Sequence, residues 1–120
     1  MKTVIAGAST NPSRYSFLAA KMLQEHGHEF VPIGLKKGEL FGEPILEFSE
    51  LPRVEKVDTV TLYIGPDNQK VWYDYLISLK PRRVIFNPGT ENEEFAQQLA
   101  KVGIEVTQAC TLVLLRSNQY

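Results

Sequence analysis

The stretch Gly7-Ala8-Ser9-Thr10-Asn11-Pro12-Ser13-Arg14 carries the residue types from which phosphate-binding turns are built. It follows a β-like run at residues 3–6 and opens an amphipathic helical segment. That order gathers unpaired backbone N–H groups at the positive end of a helix dipole, where an anion is stabilised. Gly7 puts no Cβ in the path of an approaching phosphate. Asn11 reads as the N-cap, with Pro12 at the first helical position, where a missing N–H costs nothing. Ser9, Thr10 and Ser13 add hydroxyls, and Arg14 adds a planar cationic fork that matches phosphate oxygens. An ordinary turn between a strand and a helix uses the same Gly, Ser, Asn and Pro, so the segment alone leaves both readings open.

What this corner lacks narrows the ligand. The dinucleotide fingerprint G-x-G-x-x-G has three glycines, whereas here Ser9 stands at the second position and Pro12 at the third. A carboxylate at the end of the second strand, suited to a ribose hydroxyl, is also missing. The second strand, 28–33, has its Glu29 at the start and runs on into Gly34, Lys36 and Lys37. Two lysines beside a ribose favour a phosphorylated sugar, as in coenzyme A or NADP, over NAD.

Strand-like and helix-like segments alternate along the chain with no linker between them. Strand one is followed by a helix over 12–26, with Leu18, Ala19, Met22 and Leu23 on one stripe and Gly27 at its end. Residues 34–57 are broken by Gly34, Gly38, Gly42, Pro44 and Pro52 and read as irregular, with a short strand or turn near 44–46. Strand three is 59–64, and a helix with Val71, Trp72, Tyr75, Leu76 and Leu79 on one face follows it. Strand four is 83–87. Thr90-x-x-Glu93 then reads as a capping box for a helix bearing Phe95, Ala96, Leu99 and Val102. Strand five is 104–107, and 111–115 form a short apolar element. This alternation implies an α/β fold: one Rossmann-like, doubly wound sheet of about five parallel strands, flanked by helices, over a single domain 1–120.

Such sheets bind ligands at the carboxyl ends of the strands, where the strand order reverses. The loops expected there are Gly7–Arg14, Ile33–Lys37, Tyr63–Pro66 and Asn87–Thr90. The expected contact residues are therefore Gly7, Ala8, Ser9, Thr10, Asn11, Pro12, Arg14, Ile33, Gly34, Lys36, Lys37, Tyr63, Ile64, Pro88 and Gly89.

Composition bounds the partners. The 120 residues are 43% hydrophobic and 22% charged, ordinary for a soluble globular chain. A net charge of −1 with no basic block argues against nucleic acid. One cysteine makes no internal disulfide, and no apolar run approaches the ~18 residues of a membrane span, so the expectation is cytoplasmic.

The pattern Gly-Ala-Ser-x-x-Pro-x-Arg-x-Ser at 7–16, Gly27-His28 before strand two and Gly89-x-x-Asn92-Glu93 resembles the small Rossmann-type CoA-binding proteins. These are relatives of the CoA-binding domain of the succinyl-CoA synthetase alpha subunit. The resemblance spans nearly the whole chain, including Cys110 after strand five. It implies that the Gly7–Arg14 loop cradles the CoA pyrophosphate and the loop after strand two borders the adenosine 3′-phosphate. It implies also that Tyr63-Ile64 flanks the adenine or pantetheine path. Two positions depart from the family pattern. Val31-Pro32-Ile33-Gly34 stands where Val-Asn-Pro is usual, and Ile64 stands where an arginine is often found.

Groups for catalysis are sparse. His26 and His28 sit at a helix end, and Glu91, Glu93 and Glu94 form an acidic helix start that suits the dipole. Cys110 reads as a small apolar group among Leu112 and Val113, while Trp72, Tyr73 and Tyr75 read as core. No His/Cys spacing suggests a metal. The reading is a binding module for CoA or an acyl-CoA without a catalytic centre, as a carrier, a sensor or an accessory to an unidentified protein partner. The rivals are a small NADP- or other nucleotide-dependent enzyme using the same crevice, and an interaction protein with an empty pocket.

Overall fold

Successive residues of β1 (Lys2–Ala6) point to opposite sides of the sheet, and both sides are apolar. Val4 and Ala6 enter one core and Ile5 the other, all completely buried. A strand apolar on both faces belongs in the middle of a sheet covered on both sides. The computed structural model describes residues 1–120, and it places β1 there. β2 (Glu29–Gly34) pairs parallel on one side of it and β5 (Val57–Leu62) on the other. With β3 (Gly38–Leu40), β4 (Glu43–Glu47), β6 (Arg83–Phe86) and β7 (Glu105–Gln108), the full order is β3-β4-β2-β1-β5-β6-β7, and β6 and β7 continue in parallel.

The five expected parallel strands are thus present, and residues 34–57 add two more. β3 (Gly38–Leu40) and β4 (Glu43–Glu47) form an antiparallel hairpin, and β4 joins the main sheet parallel to β2 through Ile33↔Leu46 and Gly34↔Glu47. The breakers Gly38, Gly42 and Pro44 fall inside or beside these short strands, which is why the segment reads as irregular.

The helix α1 (Tyr15–Glu25) buries Ala20 and Leu23 against Ile5, Phe30 and Leu40, with Leu115 of α4 (Thr111–Arg116) on the same side. The opposite face carries α2 (Tyr73–Ser78) and α3 (Glu93–Lys101), whose Leu76, Phe95 and Leu99 cover Val4, Val60, Leu62 and Phe86. Trp72 stacks on Phe48 with ring centroids 3.8 Å apart, and Tyr73 on Phe95 at 4.3 Å. Val71 does not share that buried face: Lys70–Trp72 is a separate 3₁₀ turn, and Val71 is 74% exposed. No helix is long and apolar enough to cross a membrane.

Candidate binding crevice

β1 is the strand at which the order reverses, since the chain moves from it to β2 on one side and returns to β5 on the other. The loops after β1, β2, β5 and β6 meet at this end around a crevice of about 830 Å³. Of the expected contact residues, Gly7, Ala8, Ser9, Thr10, Arg14, Lys36, Lys37, Tyr63, Ile64, Pro88 and Gly89 line it. Asn11, Pro12, Ile33 and Gly34 do not.

These four build the loop instead. The carbonyl of Ile33 accepts from both Gly7 N and Ala8 N at 2.9 Å, which fastens the start of the β1–α1 loop to β2. A Cβ on Gly34 would lie 2.4 Å from the Ala8 carbonyl oxygen, so this strand end admits no side chain. Asn11 is not the helix cap. Its Oδ1 accepts from Ser13 N at 3.0 Å and from Ser13 Oγ at 2.8 Å, and its carbonyl accepts from Arg14 N at 3.0 Å. Asn11 N in turn donates to Ser9 Oγ at 3.1 Å. The loop thus closes on itself as an Asx-type turn, Pro12 lies outside the helix, and α1 begins only at Tyr15 with Arg14 at its cap position.

Gly7 also has a different role from the expected one. Its φ is +94°, and an added Cβ would sit 2.8 Å from the Tyr63 carbonyl oxygen and 2.9 Å from Ile64 Cγ1. The missing side chain lets the β1 and β5 loops pack together.

The turn leaves donors free. The backbone N–H groups of Ser9 and Thr10, and those of Tyr15 and Ser16 in the first turn of α1, have no acceptor within the protein. This is the arrangement that stabilises an anion at a helix start. Arg14 and Lys36 enter no ion pair, and Lys37 lies 3.6 Å from Glu47 on β4 while its side chain is 80% exposed. Positive charge therefore concentrates along the β1 and β2 loops. The opposite end, formed by Ile64, Gly65, Asn68, Val71, Pro88 and Gly89, is lined by no cation, and the Glu91 carboxylate accepts there from Gly89 N at 2.8 Å.

Leu35, Gly65 and Thr90 also line the crevice, within the loops expected there, and so do Tyr15, Ser16 and Ile45 on the charged side and Asn68, Val71 and Trp72 on the other, which lie outside those loops. Tyr15 and Ser16 had a signal in the extended Gly-Ala-Ser pattern, whereas Ile45 depends on a hairpin that the breakers hide.

The β6–α3 loop differs from its expected form. Asn92, not Thr90, caps α3: Asn92 Oδ1 accepts from Phe95 N at 3.1 Å. Thr90 is buried and its hydroxyl donates to the Asn87 carbonyl at 2.7 Å. Asn87 ties this loop to the sheet, its Nδ2 donating to Thr61 Oγ1 at 2.7 Å and its Oδ1 accepting from Thr111 N at 2.9 Å. Beside that network burial pushes the Tyr63 phenol up to about 12, and its hydroxyl has no hydrogen-bond partner. Cys110 is half-buried at the cap position of α4 and does not line the crevice.

A family model described as CoA binding domain matches residues 1–116. No curated protein matches the chain. Among solved structures, one of an uncharacterized protein is 55% identical, with a TM-score of 0.95 over 99% of this chain and 97% of the other. A Thermus thermophilus protein is 26% identical, with a TM-score of 0.87 over 99% and 90%. A hypothetical protein from Pyrococcus horikoshii OT3 is 25% identical, with a TM-score of 0.84 over 98% and 82%.

Proposed function

The chain belongs to the CoA binding domain family, and from that premise we propose that it holds coenzyme A or an acyl-CoA in this crevice as a carrier, sensor or accessory module. The observation that carries the reading is the set of free N–H donors at Ser9, Thr10, Tyr15 and Ser16, flanked by unpaired Arg14 and Lys36. Four free donors and a guanidinium suit a pyrophosphate, whose charge they offset without a proton transfer. Lys36 and Lys37, on the next loop, suit the ribose 3′-phosphate. The cation-free end beyond Gly65 and Gly89 suits the pantetheine arm. These groups stabilise phosphate charge equally before and after any reaction, which tightens binding without accelerating chemistry.

Calorimetric titration with CoA, 3′-dephospho-CoA and NADP tests this. CoA should bind best. Replacing Lys36 and Lys37 with Ala should weaken CoA by about tenfold or more and much more than it weakens dephospho-CoA, since one charge-assisted contact is worth roughly 1.5–3 kcal/mol. Equal losses for the two ligands would remove the lysines from the 3′-phosphate. Tighter binding of NADP than of CoA would favour the nucleotide-dependent enzyme.

A further inference from the structure

Gln69 is completely buried yet fully polar, and it lies behind the crevice without lining it. Its Nε2 donates to the Ile64 carbonyl at 2.8 Å and to the Thr90 carbonyl at 2.7 Å. Its Oε1 accepts from Asn92 Nδ2 at 2.9 Å, and the same Asn92 nitrogen donates to Tyr73 Oη at 2.8 Å. Only an amide meets this demand. Two carbonyls need two hydrogens on one nitrogen, and the Asn92 donor needs an oxygen beside it. A carboxylate would face both carbonyls with no hydrogen, and an apolar side chain would leave both carbonyls and one Asn92 amide hydrogen unpaired.

The two carbonyls that Gln69 joins belong to different loops. Ile64 precedes Gly65 in the loop after β5, and Thr90 follows Gly89 in the loop after β6. A Cβ at Gly65 or at Gly89 would meet no protein atom within 4 Å, so both backbones border open space in the crevice. The N–H groups of Ile64 and Gly65 have no acceptor in the protein. The Gly89 N–H is taken by Glu91 Oε1 at 2.8 Å, so the free donors are those of Ile64 and Gly65. A slot with two free amide donors and a carboxylate at its rim fits an uncharged amide chain and disfavours a phosphate.

We propose that Gln69 is a positioning residue that holds these two loops in register for the uncharged amide arm of the ligand, at the end of the crevice away from Lys36 and Lys37. This rests on the CoA reading above. It makes a division of labour: the β1 and β2 loops hold the phosphorylated nucleotide, and the Gln69-tied loops hold the arm.

The test compares CoA with adenosine 3′,5′-bisphosphate, which has the phosphorylated nucleotide and lacks the arm. Wild-type protein, Gln69→Glu and Gln69→Met are titrated with both, and folding is checked by circular dichroism. CoA affinity should fall by about tenfold, the equivalent of one or two lost buried hydrogen bonds, while the bisphosphate binds as before. In Gln69→Glu the loss should be partly reversed as the pH is lowered, since burial favours the protonated carboxyl, which again donates one hydrogen. Gly65→Val, whose branched side chain enters the open slot, should reproduce the selective loss in a protein whose Gln69 bonds are intact. Equal losses for both ligands, or Gly65→Val binding CoA like wild type, would overturn the proposal. Backbone amide exchange, measured without ligand, should speed up in the Gln69 variants at Asn68 and Thr90, whose N–H groups are bonded to the Gly65 and Asn87 carbonyls, and stay unchanged at Ala8 and Arg14, bonded to Ile33 and Asn11. Exchange that rises everywhere or nowhere also overturns it. Wild-type protein that takes up neither ligand would instead sink the CoA reading, and the exchange data would still decide whether Gln69 ties the loops.

Discussion

At the residue scale, two side-chain positions act against their first appearance. Gly7 invites the reading of an open phosphate approach, yet its absent Cβ is required by the Tyr63 carbonyl 2.8 Å away and by a φ of +94°. Gly7→Ala should therefore destabilise the fold by about 2–4 kcal/mol, combining a left-handed backbone with a backbone clash. Urea denaturation measures this, and a loss confined to ligand affinity would return the glycine to the phosphate site. Tyr63 presents the opposite case. Its hydroxyl is buried beside the Thr61 and Thr111 hydroxyls but outside hydrogen-bonding geometry with either, so its desolvation is poorly compensated. Tyr63→Phe should leave stability at neutral pH unchanged or raise it by about 1 kcal/mol, because the group removed made no hydrogen bond. A clear destabilisation in the same denaturation experiment would mean that a partner for the phenol exists after all.

At the element scale, the loops after β5 and β6 owe their shape to polar ties between distant parts of the chain. Asn92 serves three groups at once: it caps α3 and donates to Gln69 and Tyr73. Asn92→Ala should cost about 2–3 kcal/mol, as the sum of a lost cap and an orphaned amide oxygen. Asn92→Asp keeps the acceptor at the helix start but turns a carboxylate oxygen onto Gln69 Oε1, so it should cost at least as much, and thermal melting compares the two. None of this is visible to periodicity, which registers apolar spacing and cannot tell which of Thr90, Asn92 or Gln69 meets which backbone group. The strands β1, β2, β5, β6 and β7 were legible because their apolar runs are bounded by Gly, Pro or Asn. The β3–β4 hairpin was not. Its turn, Phe41-Gly42, has φ values of 51° and 89°, the two positive angles of a tight hairpin turn, but Phe in place of Asn gives no such signal. Tertiary contacts hold it there: Phe41 packs 5.1 Å from the Phe17 ring, and Gln24 Nε2 donates to its carbonyl. In the crevice, the Gly-Ala-Ser loop was legible because a helix start has few chemical solutions. The α1 boundary was misread because Asn11 spends its side chain on Ser13.

At the scale of the whole molecule, the buried titratable groups bound the pH range over which the sheet stays closed. His28 lies 5.0 Å from the Tyr120 ring, and burial, together with cationic neighbours including Arg83, lowers its pKa from 6.5. The unfolded chain then binds the proton more readily than the folded one, so this contribution is full above 6.5 and declines as the pH falls below it. Asp58 adds a second acid-side loss. Hydrogen bonding from Arg82 holds its carboxyl below 3.8, so its contribution is present above that value and disappears further into acid. On the alkaline side the tyrosines act. Burial raises Tyr63 and Tyr75 from 10.0 to about 12, and it raises Tyr120 as well. A raised phenol favours the folded state fully below pH 10.0 and loses that advantage as the pH climbs towards 12. Melting temperature should therefore be flat between about pH 7 and 10 and fall on both sides. His28→Gln should remove the first part of the acid decline, and Tyr75→Phe, which gives up only the bond from its hydroxyl to the Pro52 carbonyl, should soften the alkaline one. Alkaline limbs that superimpose for wild type, Tyr63→Phe and Tyr75→Phe would show that the loss of the fold above pH 10 has another origin.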